Sequence, residues 1–79
     1  MNVRIQLKLL ALEIRRNCRT LAIKYESFDD GYTVTHYAVE YDDNYYLLMY
    51  RDGCIKAIYK CDGRDGLVSI LEGWKHDNN

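Results

Sequence analysis

The dipeptide Asp52-Gly53 constrains the fold of this chain more than any other feature of its 79 residues. A two-residue type I′ hairpin needs positive φ at both turn positions, and Asp followed by Gly adopts that conformation readily. Alternating apolar and polar residues flank the dipeptide on both sides. They predict a hairpin that joins a strand over residues 45–51 to a strand over residues 54–61.

A third strand is predicted upstream of this hairpin. Aromatic and β-branched residues are frequent over residues 32–41, and such residues favour the half-buried surface of a sheet. The segment Asp42-Asp43-Asn44 follows, and its residue types favour a turn. The three strands therefore predict an antiparallel meander.

The predicted register of the hairpin assigns each side chain to one of two faces. Counting outward from the turn without a break pairs Arg51 with Cys54 and Leu47 with Ile58. One face is assigned to the core, and it carries Tyr37, Val39, Tyr41, Tyr46, Leu48, Tyr50, Ile55, Ala57, Tyr59 and Cys61. The other face has an apolar centre, which consists of Tyr45, Leu47, Met49 and Ile58.

The segment from Val3 to Tyr25 contains no glycine or proline and predicts a long helix. Its apolar residues recur at steps of three and four, at Val3, Leu7, Leu10, Ile14, Cys18, Leu21 and Tyr25. Asn2 is the expected N-cap, because its side-chain oxygen can accept a hydrogen bond from a first-turn amide. Residues 3–9 also alternate between apolar and polar side chains, so a strand over that stretch stays open as an alternative.

The predicted helix is apolar on two sides. A second apolar stripe lies opposite the first and consists of Ile5, Leu9, Leu12 and Ile23. Four basic residues fill one flank between the two stripes, namely Arg4, Lys8, Arg15 and Arg19. Only one apolar side can pack on the sheet, so the other needs a cover. That cover is the closing helix, a second copy of the chain in a homodimer, or a foreign protein.

A short closing helix is predicted after the turn at residues 62–66. Asp65 is the expected N-cap, and apolar residues share one helical face over about ten residues, at Leu67, Ile70, Leu71 and Trp74. The tail over residues 76–79 is expected to be flexible. The predicted fold is a single α+β domain over residues 1–79, ordered from about residue 2 to about residue 75. Its order is α-β-β-β-α, with a three-stranded antiparallel meander packed against a long N-terminal helix and a short C-terminal helix.

Charge is unevenly distributed along the chain, although the net charge is only −1. Residues 1–25 carry six basic side chains and one acidic side chain, whereas residues 26–79 are acidic overall. Several of the acids fall in predicted turns, at Asp29, Asp30, Asp42, Asp43 and Asp52. Turn propensity explains these positions, and the same residues form an acidic rim that a basic partner can recognise.

No residue pattern indicates catalysis, a cofactor or a metal site. The three cysteines form no C-x-x-C pair, and neither His36 nor His76 has a second ligand at metal-binding spacing. The chain is therefore predicted to be no enzyme and to use no cofactor. The sequence contains no run of eighteen apolar residues and no signal-peptide pattern, so we expect a cytoplasmic protein outside the membrane.

Tyrosine is frequent, with eight residues against a single phenylalanine. The hydroxyl of a deeply buried tyrosine needs a hydrogen-bond partner, whereas the residue suits a surface that becomes dry only in a complex. We therefore expect a small protein-binding module. Its expected contact surface is the apolar centre Tyr45, Leu47, Met49 and Ile58, rimmed by the acidic turns.

In its size, its acidic turns and its tyrosine-rich meander, the chain is similar to the small inhibitors that phages use against host machinery, anti-CRISPR proteins among them. The resemblance implies an inhibitor in the host cytosol that blocks a surface of a larger, nucleic-acid-processing protein complex. It also implies that acidic side chains stand in for phosphates at a basic groove of that target, namely Asp29, Asp30, Asp42 and Asp43.

The order of a helix, three strands and a helix over residues 3–75 resembles the layout of double-stranded RNA-binding domains. This resemblance implies an alternative function, nucleic-acid binding through the basic residues Arg4, Lys8, Arg15 and Arg19. Those domains begin their last helix with a lysine-rich segment that grips phosphates, where this chain has Gly63-Arg64-Asp65-Gly66. Nucleic acid therefore ranks below protein as the expected partner.

Overall fold

The computed structural model describes residues 2–27 and 31–77. The chain folds into two helices and four strands, in the order α1 (Val3–Asn17), β1 (Arg19–Ser27), β2 (Thr33–Tyr41), β3 (Asn44–Arg51), β4 (Cys54–Lys60) and α2 (Gly63–Asp77). The α+β class is confirmed. The strand count is corrected from three to four, so the layout that carried the resemblance to double-stranded RNA-binding domains is not the observed one.

The additional strand arises where the first helix was expected to continue to Tyr25. The helix ends at Asn17, whose side-chain amide donates to the Glu13 carbonyl at 3.0 Å, and Cys18 is already extended. Leu21 and Tyr25 are four residues apart, a spacing that fits the period of a strand as well as that of a helix. Pairing with β2 selects the strand, because it satisfies the backbone hydrogen-bonding groups of β1. This segment also contains β-branched and aromatic residues, which favour strands.

The beginning of α1 agrees with the expected cap. The Asn2 side-chain oxygen accepts a hydrogen bond from the Arg4 amide at 2.8 Å, as an N-cap residue does. Residues 3–9 are helical, so the strand alternative for this stretch is excluded.

The four strands form one antiparallel sheet in the order β1-β2-β3-β4, which leaves β1 and β4 at its edges. Both tight hairpins turn through residues with positive φ, at Asp42 (51°) with Asp43 (60°) and at Asp52 (49°) with Gly53 (82°). Such pairs are typical of type I′ turns, whose twist matches that of the flanking strands. The hairpin predicted at Asp52-Gly53 is confirmed.

The register of that hairpin differs from the expected one beyond its first two pairs. Arg51 faces Cys54 and Tyr50 faces Ile55, but a bulge then shifts the pairing so that Leu48 faces Ile58 and Leu47 faces Tyr59. The extra residue on β4 is Lys56, which has no partner on β3. The predicted faces of this part of β4 are therefore wrong: Ile58 belongs to the core face, and Ala57 and Tyr59 belong to the opposite face.

Helix α1 covers the core face of the sheet. Ile14 of α1, Val39 of β2 and Leu48 of β3 are fully buried and form the centre of the core. Partly buried side chains surround this centre, namely Cys18, Tyr37, Tyr41, Tyr46, Tyr50, Ile55 and Ile58. The predicted inward positions of Leu7, Ile14 and Cys18 are confirmed, and the neighbouring Ala11 is buried with them. The predicted stripe is wrong at its other members, which are exposed: Val3 (75%), Leu10 (47%), Leu21 (40%) and Tyr25 (67%).

Helix α2 packs on the opposite face. Its Trp74 lies 6.1 Å from His36, measured between ring centroids, and its Leu67 is almost fully buried. The helix begins at Gly63, so Asp65 lies in its first turn and is not the N-cap. It continues to Asp77, which places residues 76 and 77 in a helix and not in a flexible tail; residues 78 and 79 lie outside the described part.

Candidate protein-docking surface

A groove runs along one flank of α1, on the face of the sheet that α1 covers. It consists of three depressions with volumes of about 270, 470 and 360 Å³. The depressions adjoin, because the first shares lining residues with both others. We call this feature the α1 groove, and it is lined by Arg4, Ile5, Leu7, Lys8, Ala11, Leu12, Arg15, Thr35, Tyr37, Tyr50, Gly53, Cys54, Ile55 and Lys56.

The groove exists because α1 crosses the sheet obliquely. Near its N-terminus, Arg4 and Lys8 lie beside the first residues of β4. Near its C-terminus, Arg15 lies over the ring of Tyr37 on β2. A helix with this direction leaves one corner of the sheet uncovered, and its flank forms a wall above that corner.

The wall is cationic. Arg4, Lys8 and Arg15 project from one flank of α1, and Lys56 stands at the bulge of β4. Across residues 2–27 and 31–76, none of the groove-lining side chains is acidic, and the ion pairs found there involve other residues, Lys24 and His36 with Glu26. Among the described residues, the groove is thus lined by positive charge and by no acidic side chain.

Arg15 is held in place by two aromatic rings. Its guanidinium carbon lies 4.0 Å from the ring centroid of Tyr37 and 5.8 Å from that of Tyr50. The two rings contact each other edge to face at 5.5 Å, a favourable arrangement for aromatic pairs. Hydrogen bonding to Tyr37 is the main cause that raises the pKa of Arg15, so this cation persists at any physiological pH.

The groove floor also perturbs Tyr50. Burial raises its pKa, and the nearby Arg15 charge only partly opposes that effect. The Tyr50 hydroxyl therefore stays neutral at physiological pH and remains a hydrogen-bond donor and acceptor.

Exposed apolar side chains border the groove on both sides. On α1, Ile5 and Leu12 line the groove and are 51% and 60% exposed, and Leu9, 54% exposed, lies next to them on the side of the helix that faces away from the sheet. On β1, Ile23 and Tyr25 are 46% and 67% exposed. The groove floor connects the two sets, because Ile23 pairs with Tyr37 and Tyr25 pairs with Thr35. We call these five residues, Ile5, Leu9, Leu12, Ile23 and Tyr25, the α1–β1 surface.

The apolar centre expected from the sequence is not one surface. Tyr45, Leu47 and Met49 share the face on which α2 packs, and all three are half-buried. Met49 pairs with His36, whose ring contacts Trp74 of α2. Ile58 points to the α1 side because of the bulge at Lys56, so it does not join the other three.

The predicted acidic residues do not form a single cluster. Asp42 and Asp43 are exposed at one end of β3, whereas Asp52 lies at the other end, roughly 25 Å away for a strand of this length. Asp52 also has a structural role. Its carboxylate accepts a hydrogen bond from the Thr33 amide at 3.1 Å, and its own amide donates to the Thr33 carbonyl at 2.9 Å. Asp29 and Asp30 lie outside the described residues.

The predicted basic set is largely brought together. Arg4, Lys8 and Arg15 share the groove wall, in agreement with their expected position on one flank of the helix. Arg19 is separated from them because it begins β1 instead of continuing the helix.

Cysteines and histidines are dispersed in the folded chain. Cys18, Cys54 and Cys61 are free thiols, and burial raises the pKa of Cys61. His36 lies under α2 with its Nδ1 3.9 Å from a carboxylate oxygen of Glu26, and His76 is exposed. No group of three potential metal ligands occurs within residues 2–27 and 31–77.

Sequence reasoning missed the groove as a unit. The floor residues Tyr37, Tyr50 and Ile55 were assigned to the core face, and they do border the core, but the oblique α1 leaves them partly open. The sequence contains one signal for the groove wall. Lys8, Leu12 and Arg15 are spaced by four and three residues, so a helix places two cations and an apolar side chain on the same flank.

Within the described part of the chain, neither helix is long and apolar enough to cross a membrane. No family model, no curated protein and no solved structure matches this chain.

Proposed function

We propose that this chain is a non-enzymatic protein-binding module that docks onto another protein through the α1–β1 surface. The observation that carries the proposal is the exposure of five large apolar side chains around one groove, each between 46% and 67% exposed. Burial of a large apolar side chain contributes about 1.5–3 kcal/mol, so covering the remaining exposed half contributes about 1 kcal/mol for each residue. A partner that covers all five gains roughly 5 kcal/mol before the costs of association.

In the form we favour, the module is an inhibitor that blocks a surface of a larger host protein complex, anti-CRISPR-like in kind. The exposed Asp42-Asp43 turn lies at the far end of β3 from the groove, so it offers a second, acidic contact point to a nucleic-acid-processing target. A cytoplasmic location belongs to the same proposal.

A second candidate function is nucleic-acid binding. The cationic groove wall favours it, because Arg4, Lys8 and Arg15 lie on one flank and phosphates are bound by such arrays of cations. We place nucleic-acid binding second to protein docking, because phosphates bound at the cations would leave the five exposed apolar side chains uncovered.

Site-specific photocrosslinking in the native cell tests the proposal. A photoreactive phenylalanine analogue replaces Leu9 of the α1–β1 surface in one variant and Val68 of α2 in the matched control. Both side chains are exposed, at 54% and 40%. We expect a discrete heavier adduct from the Leu9 position and none from Val68, and a third variant with the analogue at Leu12 should recover the same partner.

Three results contradict the proposal. Equal adducts from Leu9 and Val68 would indicate non-specific contact. If neither Leu9 nor Leu12 gives an adduct, the α1–β1 surface does not dock onto a partner. An adduct of twice the chain mass identifies a second copy of the chain as the cover, which replaces the foreign protein by a homodimer.

A further inference from the structure

We infer that the α1 groove receives an extended acidic segment of the partner protein, which inserts one large apolar side chain between carboxylates that contact Lys8 and Arg15. This inference rests on the proposed docking function and specifies the chemistry that the partner presents. It follows from three properties of the groove, which are its charge, its size and the state of its aromatic rings.

Charge determines the sign of the ligand. Arg4, Lys8, Arg15 and Lys56 line the groove, and no Asp or Glu of the described residues lines it with them. The nearest acid along the chain, Asp52, is engaged by the Thr33 amide at 3.1 Å. A neutral or basic segment would leave these cations uncompensated on closure, whereas carboxylates offset their loss of hydration.

Size determines the form of the ligand. The central depression of about 270 Å³ has an aliphatic wall at Ala11, Leu12 and Ile55. An apolar cavity of about 150 Å³ is large enough to bind benzene, so this depression has room for one large apolar side chain. The groove extends from Arg4 to Arg15 on α1, a distance of about 16 Å along the helix axis. An extended segment of about five residues spans that length.

The aromatic rings favour a peptide over a nucleic acid. Non-specific single-strand binding uses open aromatic faces on which bases stack. One face of Tyr37 is already covered by the Arg15 guanidinium at 4.0 Å, and Tyr50 meets Tyr37 edge to face. The groove therefore presents cations and an aliphatic hollow, and the face of Tyr37 that contacts Arg15 is closed to stacking.

Titration of the isotope-labelled chain with defined probes tests the inference by nuclear magnetic resonance. The probes are three peptides of about twelve residues, long enough to exceed the groove: alternating leucine and glutamate, alternating serine and glutamate, and alternating leucine and lysine. A short oligothymidylate supplies phosphates without carboxylates. We expect the leucine–glutamate peptide to bind most tightly and to shift the amide signals of Gly53 and Ile55, which line the groove.

Charge variants refine the test. Lys8→Gln and Arg15→Gln should each weaken binding of the leucine–glutamate peptide by about two- to fivefold, as expected for exposed ion pairs. Arg15→Lys keeps the charge and controls for loss of packing on Tyr37. Lys75→Gln, at an exposed position of α2, should leave the affinity unchanged.

The inference is overturned if the serine–glutamate or leucine–lysine peptide binds as tightly as the leucine–glutamate peptide. Tighter binding of oligothymidylate with shifts at the same amides would assign the groove to nucleic acid instead, and shifts that depend on protein concentration without any probe would assign it to a second copy. Failure of the peptides while Leu9 still crosslinks specifically overturns this inference alone, whereas loss of crosslinking overturns the proposed function whatever the peptides do.

Discussion

The bulge at Lys56 decides which side chains of β4 support the core, and paired substitutions test it. Ile58 packs against the buried cluster of Ile14, Val39 and Leu48, whereas Tyr59 is 54% exposed on the opposite face. Threonine favours strands, as isoleucine and tyrosine do, so replacing each by threonine keeps strand propensity high at both positions. Ile58→Thr loses one buried methylene equivalent, worth about 0.8 kcal/mol, and places a hydroxyl against the core, which costs roughly another 1–3 kcal/mol.

We therefore expect Ile58→Thr to lower the free energy of unfolding by about 2 kcal/mol. Tyr59→Thr removes its cross-strand pairing with Leu47, a pair worth about 0.2–1 kcal/mol. For a domain of this size, each 1 kcal/mol shifts the melting temperature by about 4–8 °C. Ile58→Thr should then melt roughly 10 °C below the parent chain and clearly below Tyr59→Thr.

Urea and thermal unfolding followed by the fluorescence of Trp74 and by circular dichroism supply the measurement. The full stability of a chain of this length is roughly 4–12 kcal/mol, so a loss of 2 kcal/mol remains measurable. An unbroken hairpin register would place Tyr59 in the core and Ile58 outside it. A larger loss for Tyr59→Thr than for Ile58→Thr would therefore refute the bulge.

Three further expectations concern single groups. Asp52→Ala removes the acceptor of the Thr33 amide and places alanine at a φ of 49°, so we expect a loss of about 1–2 kcal/mol in urea unfolding; a change below about 0.3 kcal/mol would show that this link adds nothing. Burial is the leading cause that raises the pKa of both Tyr41 and Tyr50. In a Cys61→Ala background, which removes the thiol with a raised pKa, the stability that these two tyrosines contribute should be constant below the unfolded tyrosine pKa of about 10 and fall as pH rises through the folded pKa. Urea melts of that variant across the range can verify this, and a tyrosine-dependent fall that begins well below about pH 10 would contradict burial as the cause. Cys54 is exposed, whereas Cys61 is half-buried with a raised pKa, so thiol alkylation followed by mass spectrometry should modify Cys54 first; equal rates would argue against the burial of Cys61.

The parts of the fold that were predictable depend on local chemistry. The Asp52-Gly53 hairpin, the Asn2 cap and the inward positions of Leu7, Ala11 and Ile14 follow from residue types within a few positions of one another. Such features keep their conformation in almost any tertiary context.

The parts that were not predictable depend on pairing between distant segments. Leu21 and Tyr25 fit a helix and a strand equally well, and only the ladder with β2 selects the strand. Lys56 has no pairing partner on β3, and no glycine or proline at that position indicated a bulge in the sequence. The groove in turn requires the oblique direction of α1 across the sheet, which no spacing within α1 reveals.

We propose that the exposed apolar residues of α1 bind a partner and do not support the fold. The dissociation constant for the partner identified by crosslinking tests this role when it is measured with Leu9→Ser/Leu12→Ser and with the control Tyr59→Ser/Val68→Ser, all exposed positions. Truncation of central interface residues costs about 1–2 kcal/mol or more each, so we expect at least a tenfold loss of affinity for the α1 variant, with its melting temperature nearly unchanged. Equal affinities for the two variants, or an α1 variant that unfolds, would contradict a binding role for these residues.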